Sequence, residues 1–148
     1  MEILRKIASF GASKDDFRNI CFLFIRSELE QSAVVWHSSL TEENKADLER
    51  VQKYAVKLIL GGQYKGYRKS LTDLDIETLD ERREKLCLNF ARRCLRNEKT
   101  RKMFPENSKN HFMKTRKQEK YRVQHAQTNR LKDSASIYMQ NLLNQHGK

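Results

Sequence analysis

Two adjacent carboxylates, Asp15 and Asp16, are the first residues of the chain that could support catalysis, because proteins use such pairs to hold magnesium. A two-metal site also needs further carboxylates that converge from other elements. This pair instead follows Ser13 at a predicted helix start, where acidic side chains cap backbone N–H groups and favour the positive end of the helix dipole. We therefore interpret the pair as a helix cap.

No other motif in the sequence is typical of an enzyme or a cofactor site. The chain lacks a Gly-rich phosphate loop, a nucleophile elbow and a His-Glu-x-x-His helix. Its histidines and cysteines do not have the spacing of a zinc site; they are His37, His111, His125 and His146, with Cys21, Cys87 and Cys94. We expect the cysteines to be buried reduced thiols, and we predict no cofactor in this chain.

Basic side chains form the pattern that points most directly to a binding function. At 100° per residue, five cations of one predicted helix fall within a sector of about 100°. They are Arg82, Lys85, Arg92, Arg93 and Arg96. The adjoining sector is apolar, except for Arg83, which is expected to pair with Asp80 or Glu84 or to face the helix end. This stripe predicts contact with nucleic-acid phosphates, and the alternative is an ordinary solvated helix face.

A second group of cations lies further along the chain, around an aromatic residue. Its members are Lys114, Arg116, Lys117, Lys120 and Arg122, around Tyr121. Cations mixed with an aromatic ring suit phosphate neutralisation together with base stacking. The alternative is a basic tail that only keeps the protein in solution, and neither group distinguishes RNA from DNA.

The overall charge supports a polyanion as the partner. The 148 residues include 30 Lys and Arg against 19 Asp and Glu, a formal net charge of +11. Up to Leu95 there are 17 basic and 15 acidic residues, and after it 13 and 4, so most of the excess lies in the last third.

The longest apolar run, residues 20–25, is too short to cross a bilayer, and the N-terminus lacks a signal-peptide apolar region. We expect an intracellular protein without a membrane partner.

The fold that would position these residues is predicted to be all-α. Five Gly and one Pro provide too few turn residues for a sandwich or a barrel. One helix is expected from the Ser13 cap to about Trp36, and a second from Thr41 to a Gly61 stop. A short helix and a turn are expected within residues 64–74, and a third long helix from the Thr78 capping box to about Arg96.

The predicted organisation is a helical bundle followed by a basic segment. Residues 1–100 are expected to form the helical module. Residues 101–148 are expected to form a basic, partly disordered tail, with an amphipathic helix near 134–146 where apolar residues recur at helical spacing.

Several stretches of the chain resemble the region downstream of the catalytic core in reverse transcriptases of non-LTR (LINE-type) retrotransposons, especially the jockey-like elements of arthropods. They are residues 4–7 (LRKI), 25–36 (IRSELEQSAVVW), 48–61 (LERVQKYAVKLILG) and 79–86 (LDERREKL). Their order and spacing are similar to that family over roughly the whole chain. The final residues 142–144 (LLN) resemble the end of such a reading frame.

The resemblance implies a helical thumb-and-connection region, which grips the template–primer duplex of a polymerase. The palm and its aromatic-Ala-Asp-Asp metal motif would lie before Met1, and Asp15 and Asp16 follow Ser-Lys instead. The chain alone is therefore not expected to be an enzyme, and magnesium is expected only in the missing palm. The implied partner is RNA or an RNA–DNA duplex, and the implied location, following the parent element, is the nucleus and cytoplasm.

A second hypothesis belongs to a different class. The chain would be a stand-alone helical module that binds a protein, or a non-functional relic of the element. A thumb without its palm would expose apolar residues, so Ile3, Ile7 and Phe10 could drive self-association, and the polymerase core is the other candidate partner.

Overall fold

The structure, a computed structural model, describes residues 6, 9–11, 13–107 and 119–146. The described chain is all-α, as the sequence predicts, and its β pairing is limited to an isolated antiparallel bridge between Glu106 and Tyr121. Within these residues no helix combines the length and the apolar character needed to cross a bilayer.

The α-helices differ widely in length. In chain order they are α1 (Lys14–Ile20), α2 (Ser27–Glu30), α3 (Ala33–Trp36), α4 (Glu42–Leu60), α5 (Tyr67–Asp73), α6 (Leu79–Arg96), α7 (Glu98–Arg101), α8 (Asn129–Lys132) and α9 (Ala135–His146). A π-helical segment, Cys21–Arg26, joins α1 to α2, and 3-10 turns follow α3 (His37–Ser39) and α4 (Gly61–Gln63).

The chain divides into two compact units. The first contains Met1–Ser32 and Leu40–Arg83, and the second contains Ala33–Ser39 and Glu84–Lys148. This division falls within α6 rather than near residue 100, where the sequence placed the change from bundle to basic segment. Much of the expected tail belongs to the second unit as folded chain, including α8 and α9.

The Asp16 carboxylate is part of a helix cap, as we predicted. The Ser13 N–H donates to Asp16 Oδ2 (3.2 Å), and the Asp16 N–H donates to Ser13 Oγ (3.1 Å). The Ser13 hydroxyl and then its backbone N–H lower the pKa of Asp16, because both donate to the ionised carboxylate. The carboxylate thus has a structural role at the start of α1.

The other predicted helix ends are confirmed as well. Thr41 Oγ1 accepts the Asn44 N–H (3.2 Å) at the start of α4, and Gly61 ends that helix with φ of +50°. Thr78 and Glu81 form the reciprocal capping box of α6, with bonds of 3.2 and 3.3 Å. The expected short helix is α5, and the expected terminal helix is α9.

The predicted continuous helix from Ser13 to Trp36 is wrong. The chain turns at Gln31 and Ser32, and Ser32 has φ of +54°. A residue in this left-handed region cannot continue a right-handed helix. A separate helix therefore begins at Ala33, which is buried within the second unit.

Each unit has its own apolar core. In the first unit, α4 contributes Ala55 and Ile59 to one cluster and Val56 to another, which also contains Leu71 and Ile76. In the second unit, buried residues of α6 pack in one cluster with residues of α9 and two aromatic rings. The members are Cys87, Leu88, Ala91, Cys94, Phe104, Tyr121, Met139, Leu142 and Leu143. Cys87 and Cys94 are buried free thiols, as predicted, whereas the side chain of Cys21 lies outside the described part.

Candidate nucleic-acid interface

Helix α6 presents three arginines on one exposed face. Its buried side contributes Ala91 and Cys94 to the core of the second unit, and this packing leaves Arg92, Arg93 and Arg96 in solvent. At 1.5 Å per residue, these side chains start within about 6 Å of one another along the helix axis. No ion pair joins any of them to another residue of the described chain. We call these three residues the α6 cations.

Arg82 differs from the α6 cations because it forms an ion pair. The Arg82 Nε donates to Glu30 Oε1 in the first unit, and Arg26 Nε donates to the same oxygen at 2.9 Å. The Glu30 side chain is only 12% exposed, so its carboxylate is held between two guanidinium groups. Arg82 is therefore an ion-pair partner within the first unit, and its contact with nucleic acid stays a prediction.

The two neighbouring cations of α6 have different surroundings. Lys85 is exposed and lies seven residues before Arg92, on the same side of the helix. Arg83 is fully buried, and its Nη2 lies 3.7 Å from Asp80 Oδ1. The predicted pairing of Arg83 with Asp80 is thus found in the structure.

The second group of predicted cations is only partly described. Lys120 and Arg122 are exposed, whereas Tyr121 is 5% exposed and its ring belongs to the core of the second unit. A buried ring offers no face on which a base could stack, so we correct the predicted stacking role of Tyr121. The Lys120 Nζ lies 5.4 Å from the centroid of that ring. Lys114, Arg116 and Lys117 lie outside the described residues, as do Ile3 and Ile7.

The whole net positive charge of the chain lies in the second unit. The first contains 14 Lys and Arg and 14 Asp and Glu, so its formal charge is zero. The second contains 16 and 5, which accounts for the whole net charge of +11. Two of those five acids have basic neighbours: Glu106 contacts Arg101 (3.3 Å), and Glu84 lies 3.6 Å from His146 Nε2.

Besides Arg101, which pairs with Glu106, sequence reasoning missed four further exposed cations in the described part of the second unit. They are Lys99, Lys102, Arg130 and Lys132. They lie in or beside the short helices α7 and α8, which have no apolar periodicity to mark them in the sequence. Two local sequence features could have predicted these helices. Each follows a capping residue, Asn97 or Thr128, and has basic residues in its last turn.

Metal-ligand clusters and the apolar cavity of the first unit give less support for a functional site in the part of the chain that the structure describes. Three or more His, Cys, Asp or Glu side chains do not come together there in a way that could hold a metal ion. A mainly apolar cavity of about 30 Å³ lies in the first unit, beside Ala55 and Val56. This is room for a water-sized molecule and far below the volume of a small-molecule site.

Comparisons with known proteins add no identification. No family model, curated protein or solved structure matches the chain.

Proposed function

We propose that this chain is the thumb-and-connection region of a jockey-like non-LTR retrotransposon reverse transcriptase, and that its second unit contacts the RNA template or the RNA–DNA duplex. The assignment to this family depends on the sequence resemblance. In this proposal the chain grips nucleic acid and does not itself polymerise DNA, which is the task of the palm.

The binding part of the proposal rests on one observation, which is that the second unit holds the whole excess of positive charge. The first unit balances its cations with an equal number of acids, whereas the second carries the entire excess. The α6 cations are exposed on one helix face within this unit. Clustered cations of this kind neutralise phosphates, which is the main source of sequence-independent affinity for nucleic acids.

The test is the salt dependence of duplex binding by the full chain, with a labelled DNA or RNA–DNA duplex followed by fluorescence anisotropy. The logarithm of affinity should fall linearly with the logarithm of salt concentration, by about 0.9 per phosphate neutralised on B-DNA. Replacing the three α6 cations (R92Q, R93Q and R96Q together) should lower that slope by about 2.7 if each arginine neutralises one phosphate.

A matched control removes three exposed lysines of the first unit (K53Q, K65Q and K69Q together). It changes the net charge by the same amount and should leave the slope nearly unchanged. Equal effects of the two triple variants would show that only total charge matters, and would contradict the proposed interface. Absence of binding at low salt would refute the function itself.

A specific observation also favours the second hypothesis, a protein-binding module. Three large apolar side chains of the first unit are strongly exposed: Phe10 (86%), Leu23 (69%) and Phe24 (70%). Leu23 and Phe24 are adjacent in sequence, and contiguous exposed apolar side chains are typical of surfaces that contact another protein. The oligomeric state of the chain distinguishes this candidate from the first.

A further inference from the structure

The cations Lys120 and Arg122 lie in a segment that has no helix to hold it. Residues 119–126 have no regular secondary structure apart from the bridge at Tyr121. The positions of these two cations therefore depend on specific contacts made by the backbone around Tyr121.

One edge of this segment pairs with residues 105–107. The Asn107 N–H donates to the Lys120 carbonyl (2.9 Å), and the Arg122 N–H donates to the Pro105 carbonyl (2.8 Å). The backbone groups of Tyr121 itself point to the opposite edge, as expected for an antiparallel pair of this type.

A single side chain of α9 satisfies that opposite edge. The Tyr121 N–H donates to Asn144 Oδ1 (2.9 Å), and Asn144 Nδ2 donates to the Tyr121 carbonyl (3.0 Å). The carboxamide thus replaces a neighbouring strand. It needs both a donor and an acceptor, so an aspartate could not take its place; Asn144 Nδ2 also lies 3.4 Å from Glu119 Oε2, where a second carboxylate would be repelled.

The contact fixes which side chains face solvent. Successive side chains of an extended segment point to opposite sides, and here the Tyr121 ring is buried while Lys120 and Arg122 are exposed. A shift by one residue would direct a cation into the apolar core. The bond pair at Tyr121 therefore sets the register that keeps both cations outside.

We propose that Asn144 is a positioning residue of the interface, which holds Lys120 and Arg122 where they contact nucleic-acid phosphates. This inference rests on the proposed function. It assigns a binding role to a side chain of α9 that would not itself touch the nucleic acid.

The test compares N144D with N141D in the full chain, because Asn141 is an exposed asparagine of the same helix and the two changes alter the net charge equally. N144D should lower the salt slope of duplex binding by about 1.8, the value for two lost phosphate contacts. When the salt concentration is raised from 50 to 200 mM, N144D should therefore lose about 12-fold less affinity than the wild-type chain does. N141D should change the slope much less.

A second comparison separates positioning from a general structural role. The double variant K120Q/R122Q should lower the slope by the same amount in the wild-type background and should have little further effect when N144D is present. Hydrogen exchange should become faster at the amides of Tyr121 and Arg122, while the amides of Leu88 and Ala91 in α6 stay protected. If the α6 amides also lose protection in N144D, the same measurements are made with N144S instead, because serine removes the paired contact without adding a charge.

Faster exchange at Tyr121 with an unchanged slope would overturn the positioning role and leave the proposed function intact. Full additivity of N144D with K120Q/R122Q would overturn it too. Failure of the wild-type chain to bind any duplex would instead refute the proposed function, whatever the exchange at Tyr121.

Discussion

Removing the Glu49 carboxylate is expected to destabilise the first unit more than any surface change. Glu49 Oε1 accepts the hydroxyl of Tyr67, and Oε2 accepts the N–H of Leu79 at the start of α6 (3.1 Å). Gln52 completes the network by donating to the Tyr67 hydroxyl (3.1 Å) and to the Glu77 carbonyl (2.9 Å). One carboxylate thus connects α4, α5 and α6.

The contacts give the size of the effect. A hydrogen bond to a charged group contributes about 1.5–3 kcal/mol, and a buried donor left without a partner costs about 1–3 kcal/mol. Leu79 is fully buried, so its N–H would bear this cost in E49A. Tyr67 is only half-buried, so water can replace part of its lost bond. We therefore expect E49A to lower the free energy of unfolding by about 2–4 kcal/mol.

Glutamine should restore much of this loss. In E49Q the amide oxygen can still accept from Leu79, and the Tyr67 hydroxyl can rotate to accept from the new amide group. The charge and the acceptor for the Tyr67 hydroxyl proton are lost, but water can replace that acceptor because Tyr67 is half-buried, so we expect E49Q to cost about 1 kcal/mol.

Urea unfolding followed by circular dichroism measures these differences, provided that the m-value stays constant. K53A on the exposed side of the same helix is the control, and it should change the unfolding free energy by about 0.5 kcal/mol or less. A loss below about 1 kcal/mol in E49A, or equal losses in E49A and E49Q, would refute the reasoning from this network.

Two further predictions concern the start of the chain. Replacing Ser13 by Ala should raise the pKa of Asp16 towards its usual value, as measured by NMR titration, because both the hydroxyl and the cap geometry are lost. Because the folded-state pKa of Asp16 is depressed, the carboxylate stabilises the fold above its unfolded-state pKa, and this contribution is lost as the pH falls through the folded-state pKa. S13A should therefore make the free energy of unfolding less sensitive to acid. If the chain forms a concentration-dependent dimer in analytical ultracentrifugation, L23S/F24S should convert it into a monomer. A wild-type chain that is monomeric at all concentrations, or a dimer that persists in L23S/F24S, would exclude this surface as the cause of self-association.

Local sequence signals predicted the long helices and their ends. Ser13, Thr41 and Thr78 each satisfy backbone N–H groups of the helix that they start, and this depends only on residues three positions away. The break at Ser32 had no such signal. Ser32 has a left-handed conformation, and the following Ala33 is buried in a different compact unit.

The candidate site was predictable where it depends on helical periodicity. The 3.6-residue repeat placed Arg92, Arg93 and Arg96 together because α6 is continuous at these positions. It could not reveal that Glu30, 52 residues away, pairs with Arg82, or that the core of the second unit takes up the Tyr121 ring. Both outcomes depend on contacts between distant parts of the chain.

The contrast between the two units bears on whether the exposed cations are an ordinary solvated face. Some cations of the first unit pair with an acid at helical spacing, as in Arg26–Glu30, Lys45–Glu42 and Arg50–Asp47, whereas the exposed Lys53 and Lys57 of α4 do not within the described residues. Arg92 and Arg96 also stand four residues apart with like charge, an arrangement that costs a helix about 0.2–0.5 kcal/mol.

The helix dipole offsets part of that cost, because Arg93 and Arg96 lie in the last turn of α6, where cations are favoured. The dipole acts only within that turn, so it does not account for the 16 basic and 5 acidic residues of the whole second unit. A unit with this imbalance repels itself, and a bound polyanion would relieve the repulsion. Binding of a polyanion should therefore stabilise the second unit, by an amount that grows with the logarithm of the polyanion concentration relative to its Kd.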